Sequence, residues 1–304
     1  MPEYEYPITL WRNTLQLFRK GSRFTGPFNS LNFNYVVESP ILTRGAGVDK
    51  RPDIIASSAS GWFVLDLTIQ LNSKGPQLDE YKMIDPSYLS QYGLHAQTSE
   101  PDIIVSRLQP VYDGGYCQII VKDTLQVLNS KYLNNAFLRS ELERSNGLDI
   151  SKLPDIPINL VPDLKSQYIR YGLINIIQQL FAPGCQGMTL MEIVDEGLDI
   201  LSDKVSVPEK HRLRDKVKDQ LNLLIEKFLS GYIVFDGQVY KATEKFSVHP
   251  KTKEFVGLKL RQWANYGQST LAQYQPPHSS PSSDFTEKKS VAVPEVKKTD
   301  TNLK

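Results

Sequence analysis

RPDIIASSASGWFVLDLTIQ, residues 51–70, is the stretch on which the fold turns. Two runs rich in Ile, Val, Leu and aromatics flank Ser57-Ser58-Ala59-Ser60-Gly61, a composition suited to a tight turn. The spacing predicts strands over 52–56 and 62–70 joined as a hairpin. Side chains alternate along a strand, so Leu65, Leu67 and Ile69 share one face and Asp66 and Thr68 the other. A carboxylate in the middle of an apolar strand is costly to bury without compensation.

Working outward, short β-rich runs at 33–38, 102–107 and 117–122 predict three more strands. A helix with the cap Asp85, Pro86 at its first position and the stop Gly93 lies between the hairpin and the strand at 102–107. Strand, helix, strand implies a right-handed crossover where the two strands are parallel. Further helices are predicted over 8–20, stopped by Gly21, and over 124–144.

The C-terminal part carries its own punctuation. Thr189-x-x-Glu192 and Ser206-x-x-Glu209, the latter with Pro208, read as capping boxes opening two helices. In the second, Leu213, Val217, Leu221, Leu224 and Phe228 recur at helical spacing and form one apolar stripe. After Gly231, YIVFDGQVYKA predicts a hairpin with a type I′ turn at Asp236-Gly237. With a helix over 164–181 in front, helix, helix, hairpin is the order of a winged helix. The reading is therefore a domain at 1–148, a proline-rich linker at 149–163, a winged-helix domain at 164–274 and a disordered, Pro- and Ser-rich tail at 275–304.

Composition bounds the function. The 304 residues hold 35 Lys plus Arg against 34 Asp plus Glu, so any electrostatic partner is met by a local patch. No apolar run approaches the ~18 residues of a membrane span, so no membrane partner is expected. The two cysteines have no CxxC or histidine neighbours, which argues against zinc and a disulfide framework. With no secretory signal pattern at the N-terminus, a cytoplasmic location, or a nuclear one in a eukaryote, is expected.

Asp53 opens the first hairpin strand, and Asp66 lies inside the second. A divalent cation shared by the two, with a backbone carbonyl such as that of Leu67, gives Mg²⁺ (or Mn²⁺) the hard oxygen ligands it needs, and a bound water then serves as the nucleophile for phosphodiester hydrolysis. The plainer alternative makes Pro52-Asp53 an ordinary strand start and Asp66 an edge residue or ion-pair partner.

Pro52-Asp53 followed by Asp66-Leu67-Thr68 resembles the PD-(D/E)xK nuclease superfamily, whose second strand carries an acidic residue, one residue, and lysine. Thr68 stands where the lysine belongs. The resemblance, over about 33–122, implies an α/β (α+β) restriction-endonuclease-like core with a mixed central sheet, catalytic residues Asp53, Asp66 and Thr68, and metal ligands Asp53, Asp66 and Leu67. Some members with a similar Asp-x-Thr strand, among them endonuclease domains of certain non-LTR retrotransposons, take the lysine from the following helical region, which here nominates Lys82, with Lys74 second. Pro101-Asp102 does not repeat the motif, because Ile120 occupies the acidic position before Val121-Lys122.

Two functions follow. In the first, the N-terminal domain is a metal-dependent DNA endonuclease and the winged helix binds DNA through Lys210, Arg212, Lys216 and Lys218. Arg212 with Asp215, and Lys216 with Asp219, stand at the spacing of helix-surface ion pairs, which takes part of that patch away from phosphate. In the second, the same fold is a catalytically inactive DNA-binding or assembly protein that works with other protein subunits of a nucleic-acid-processing complex.

Overall fold

The computed structural model describes residues 5–21, 24–38, 41–42, 49–68, 75–111, 115–162, 164–246 and 249–267. In chain order, helices α1 (Glu5–Gln16) and α2 (Pro27–Ser30) precede strand β1 (Asn34–Val37), the small pair β2 (Ile41–Leu42) and β3 (Asp49–Lys50), and the hairpin β4 (Ile54–Ser58) and β5 (Gly61–Leu67). Helix α3 (Gly75–Tyr81) and a 3-10 helix at Pro86–Tyr92 lead to β6 (Asp102–Arg107), β7 (Cys117–Val121), β8 (Leu125–Leu128) and α4 (Ala136–Arg144). The fold is mixed α/β around a six-stranded sheet of order β1-β4-β5-β6-β7-β8. Pairs β5·β6 and β6·β7 are parallel and the others antiparallel, so the sheet is mixed.

The hairpin forms as its composition dictates. Ile54 faces Leu65 and Ser58 faces Gly61 around the turn at Ala59-Ser60. Gly61 is required there, since its φ is 148° and a Cβ would stand 2.9 Å from Asn135 Nδ2. Both faces of β5 are buried. Phe63 and Leu65 join the larger core with α1, while Trp62 and Val64 pack with Leu78, Tyr81, Ile84 and Leu89 beneath α3 and the 3-10 helix.

The second half consists of α5 (Ser166–Gln179), β9 (Met188–Thr189), α6 (Leu190–Leu198), α7 (Val207–Lys227), the hairpin β10 (Ile233–Phe235) and β11 (Val239–Ala242), and α8 (Pro250–Ala264). Strands β10, β11 and β9 form a separate three-stranded sheet. The expected apolar stripe of α7 is buried at Leu213, Val217, Leu221 and Leu224. Residues 149–162, between the halves, are themselves packed: Ile156, Ile158, Leu160 and Val161 are buried, and the Arg12 guanidinium donates to the Ile156 and Ile158 carbonyls at 3.0 and 3.3 Å. One apolar core thus runs from Leu10 to Trp263.

Several expectations change. The helix predicted over 124–144 is instead β8 followed by α4, because Asn135 accepts from the Phe137 and Leu138 N–H groups, each at 3.0 Å, and starts the helix only there. Helix α1 ends at Gln16 rather than running to 20, where the close approach of Gly26 to the Leu17 carbonyl turns the chain. The segment at Pro86 is a 3-10 helix, with the expected Asp85 cap on Ser87 N–H and Gly93 left-handed at φ 69°. The Thr189/Glu192 capping box forms, whereas the Ser206 side chain makes no cap bond and Glu209 pairs instead with Arg51 and Arg212. Only Gly237 of the β10–β11 turn has positive φ, at 100°, so the paired positive φ values of a type I′ turn do not form, and the Asp236 carboxylate instead accepts from the Gln238 and Val239 N–H groups, each at 3.0 Å. Lys74, Ile69, Gln70 and the tail at 275–304 lie outside the described residues. No helix among the described residues is long and apolar enough to cross a membrane.

Candidate functional site

The register brings the two predicted aspartates together. Pairing of β4 with β5 ends at Ile54 opposite Leu65, so Asp53 and Asp66 occupy the next opposed positions, where side chains project to one face. The Leu67 N–H donates to Asp53 Oδ2 at 2.5 Å and fixes that carboxylate across the end of the hairpin. Asp66 is only 1 % exposed. Its Oδ1 accepts from the Tyr81 hydroxyl at 3.4 Å, and Gln77 Nε2 donates to the same hydroxyl at 2.8 Å. Helix α3 thereby lays a Gln77–Tyr81–Asp66 chain over the carboxylate face.

A third carboxylate joins them. Pairing of β1 with β4 ends at Val37 opposite Ile54, which puts Glu38 opposite Asp53, and the Glu38 N–H donates to the Asp53 carbonyl at 3.0 Å. Glu38 is buried with a left-handed φ of 47°, a strained setting for a residue with a side chain. The Tyr81 phenol registers all three groups: burial raises its pKa most, the Asp66 charge adds to that, and Asp53 and Glu38 raise it further against the lowering hydrogen bond from Gln77. Glu38, Asp53 and Asp66 therefore form one acidic row across three neighbouring strands. Sequence reasoning missed Glu38, whose only signal is its place at the end of the run FNYVVE just before Pro40.

Thr68 is buried one alternation beyond Asp66, and its N–H donates to the Ser106 carbonyl at 3.1 Å, continuing the β5·β6 ladder. Lys82 is placed elsewhere. Its Nζ donates to Asp79 Oδ1 at 2.9 Å and sits 5.2 Å over the Tyr116 ring at the start of β7. The Tyr116 hydroxyl also donates to Asp79, at 2.7 Å, and together Tyr116 and Lys82 hold the Asp79 carboxyl below its ordinary pKa. Tyr116 leads into β7, two strands from β5 in the sheet, so the Lys82 ammonium is engaged to one side of the acidic row. Asp102 serves the fold: burial raises its pKa, and its oxygens accept from the Asn134 and Asn135 N–H groups at 2.6 and 3.0 Å.

On α7, Lys210 donates to Asp195 Oδ1 and to Ser202 Oγ, both at 2.8 Å, and is turned inward. Arg212 reaches back to Glu209 at 2.8 Å, Lys216 contacts the Leu164 carbonyl at 3.5 Å, and Lys218 is exposed. Arg212 pairs with the buried Glu209, three residues before it, and Arg214 with the neighbouring Asp215.

Carboxylates and the Leu67 carbonyl are hard oxygen donors, suited to Mg²⁺ or Mn²⁺ rather than a soft metal. Among the described residues no group of three or more His, Cys, Asp or Glu stands ready-formed around a metal position. A cavity of about 330 Å³ lies on the opposite, α1 side of the sheet, between Asn13, Gln16, Lys122 and Ser151. Comparisons with protein-family models, with curated proteins and with solved structures return no match.

Proposed function

We propose that the chain is a metal-dependent DNA endonuclease with a restriction-endonuclease-like core and a winged helix for DNA or partner binding. The observation that carries this reading is the acidic row itself: Glu38, Asp53 and Asp66 side by side at the ends of three strands, with Tyr81 within electrostatic reach of all three. Three carboxylates side by side repel one another, and a bound cation relieves that repulsion. Asp53, Asp66 and the Leu67 carbonyl would hold Mg²⁺ or Mn²⁺, which when bound supplies an acidified water for attack on a phosphodiester. The Leu67 N–H orients Asp53, and Tyr81, itself steadied by Gln77, orients Asp66.

The order α5, β9, α6, α7, β10, β11, with β9 closing onto β11, supports the winged-helix reading. Of Lys210, Arg212, Lys216 and Lys218, the exposed Lys218 is the best placed to meet phosphate, since Lys210 is held by Asp195 and Arg212 by Glu209.

The test is cleavage of plasmid and single-stranded DNA with Mg²⁺ or Mn²⁺. Wild type is expected to nick, and Asp66→Ala to abolish nicking while a gel shift on the same preparation shows DNA binding intact or improved, because less negative charge faces the phosphate. A second reading, a catalytically inactive DNA-binding or assembly protein among other subunits, draws support from Thr68 in the lysine position and from the commitment of Lys82 to Asp79. It predicts DNA binding without cleavage.

A further inference from the structure

Resting on the nuclease reading, we propose that Arg107 is the site's fixed cation, a positioning residue that does the electrostatic work sought in Lys82. Arg107 ends β6 and is one of the largest fully buried side chains, 2 % exposed. A guanidinium stays charged at every physiological pH, so its burial demands neighbouring negative charge or hydrogen-bond acceptors.

Its direction follows from its neighbours. Ser106 Oγ bonds Thr14 of α1 at 2.7 Å, and Leu108 packs into the α1-side core, so both face that side of the sheet. Arg107, between them, faces the other side, in line with Val105 and Ile103 beneath α3. That is the face of the acidic row. The β5·β6 register aligns Asp66 with Val105 and Leu67 with Ser106, which brings Thr68 level with Arg107 on the neighbouring strand. The buried cation therefore stands one strand over and one alternation beyond Asp66, beside the residue that replaces the lysine.

Its burial keeps it out of contact with a solvent-borne phosphate. Its influence is that of a preoriented charge in a low-dielectric wall, felt where negative charge develops on the phosphoryl oxygens. Such a residue moves the chemical step more than DNA affinity.

The experiment compares wild type, Arg107→Met and Arg107→Lys in single-turnover cleavage at saturating Mn²⁺, with DNA affinity by gel shift, Mn²⁺ binding by calorimetry and a thermal melt. Arg107→Met is expected to lose ~10²-fold in rate while binding DNA and Mn²⁺ as wild type does, and Arg107→Lys to recover most of the loss. Arg107→Gln carries the same expectation as Met and replaces it should that variant fail to fold. A neutral variant that folds and cuts at the wild-type rate, or a lysine variant no better than methionine, overturns the assignment while the nuclease reading stands. A wild type that neither binds Mn²⁺ nor cuts overturns the nuclease reading, and the role of Arg107 with it.

Discussion

The Tyr81 hydroxyl donates to Asp66 while accepting from Gln77, so one phenol couples helix α3 to the buried acid of strand β5. Tyr81→Phe removes that coupling without opening a cavity. It is expected to cost about 1 kcal/mol in denaturant unfolding and, on the nuclease reading, to slow cleavage about tenfold or more by loosening Asp66. Equal rates for Tyr81→Phe and wild type would show that Asp66 needs no such guide.

Lys82 is held at Asp79 beside Tyr116, to one side of the acidic row. Lys82→Met is accordingly expected to slow cleavage by less than about tenfold, against the ~10²-fold typical of losing a general acid–base group. A loss of the larger size would mean that Lys82 leaves Asp79 when DNA binds.

Lys210 and Lys218 lie on the same helix but face different partners. Lys218→Ala should lower the slope of log affinity against log salt by about one contact. Lys210→Ala should leave that slope unchanged and lower the melting temperature, because it strips the partner from Asp195. Gel shifts across a salt series, with melts on the same samples, separate the two.

The Asp195–Lys210 pair also sets a pH signature. Burial raises the Asp195 carboxyl, but the hydrogen bonds from Lys210 and Ser202 and the Lys210 charge outweigh it, and the pKa falls below the ordinary 3.8. A carboxyl depressed on folding stabilises the protein above its unfolded pKa, and the benefit disappears as pH drops through the folded value. Asp195→Asn should therefore melt lower than wild type at neutral pH, and the gap should close below about pH 4. A gap constant down to pH 2 would exclude ionisation as its source.

Much of this architecture is legible in the residues. The hairpin at 51–70 announces itself through alternation and a Ser/Gly turn, and the pairing of Asp53 with Asp66 follows from its register. Glu38 is not legible, because its place depends on β1 joining β4 across the chain, a long-range pairing that no local pattern encodes. Arg107 hides for a related reason: within DIIVSR it looks like a strand-ending surface cation, and only parallel neighbours on both sides bury it. Asp79, three residues before Lys82, captures its ammonium, a local pairing that the spacing permits but does not single out. Helix α8 escapes the sequence reading although Val256, Leu260 and Trp263 recur at helical spacing behind Pro250, and strand β8, four residues long, is too short to show a pattern of its own.

The backbone of Val37 donates to the Lys204 carbonyl at 3.0 Å, and Arg51, two residues before Asp53, pairs with Glu209 in the first turn of α7. These two ties fasten the head of α7 to the strands that carry the acidic row. On the nuclease reading, the interval between where the duplex is gripped and where it is broken is then a ruler built into the backbone, and cuts fall at a constant offset from the protected segment. The same fastening works against modular reuse: either half produced alone would bare a sheet edge or an apolar flank evolved to stay covered, and would meet its neighbours in solution as an adhesive surface.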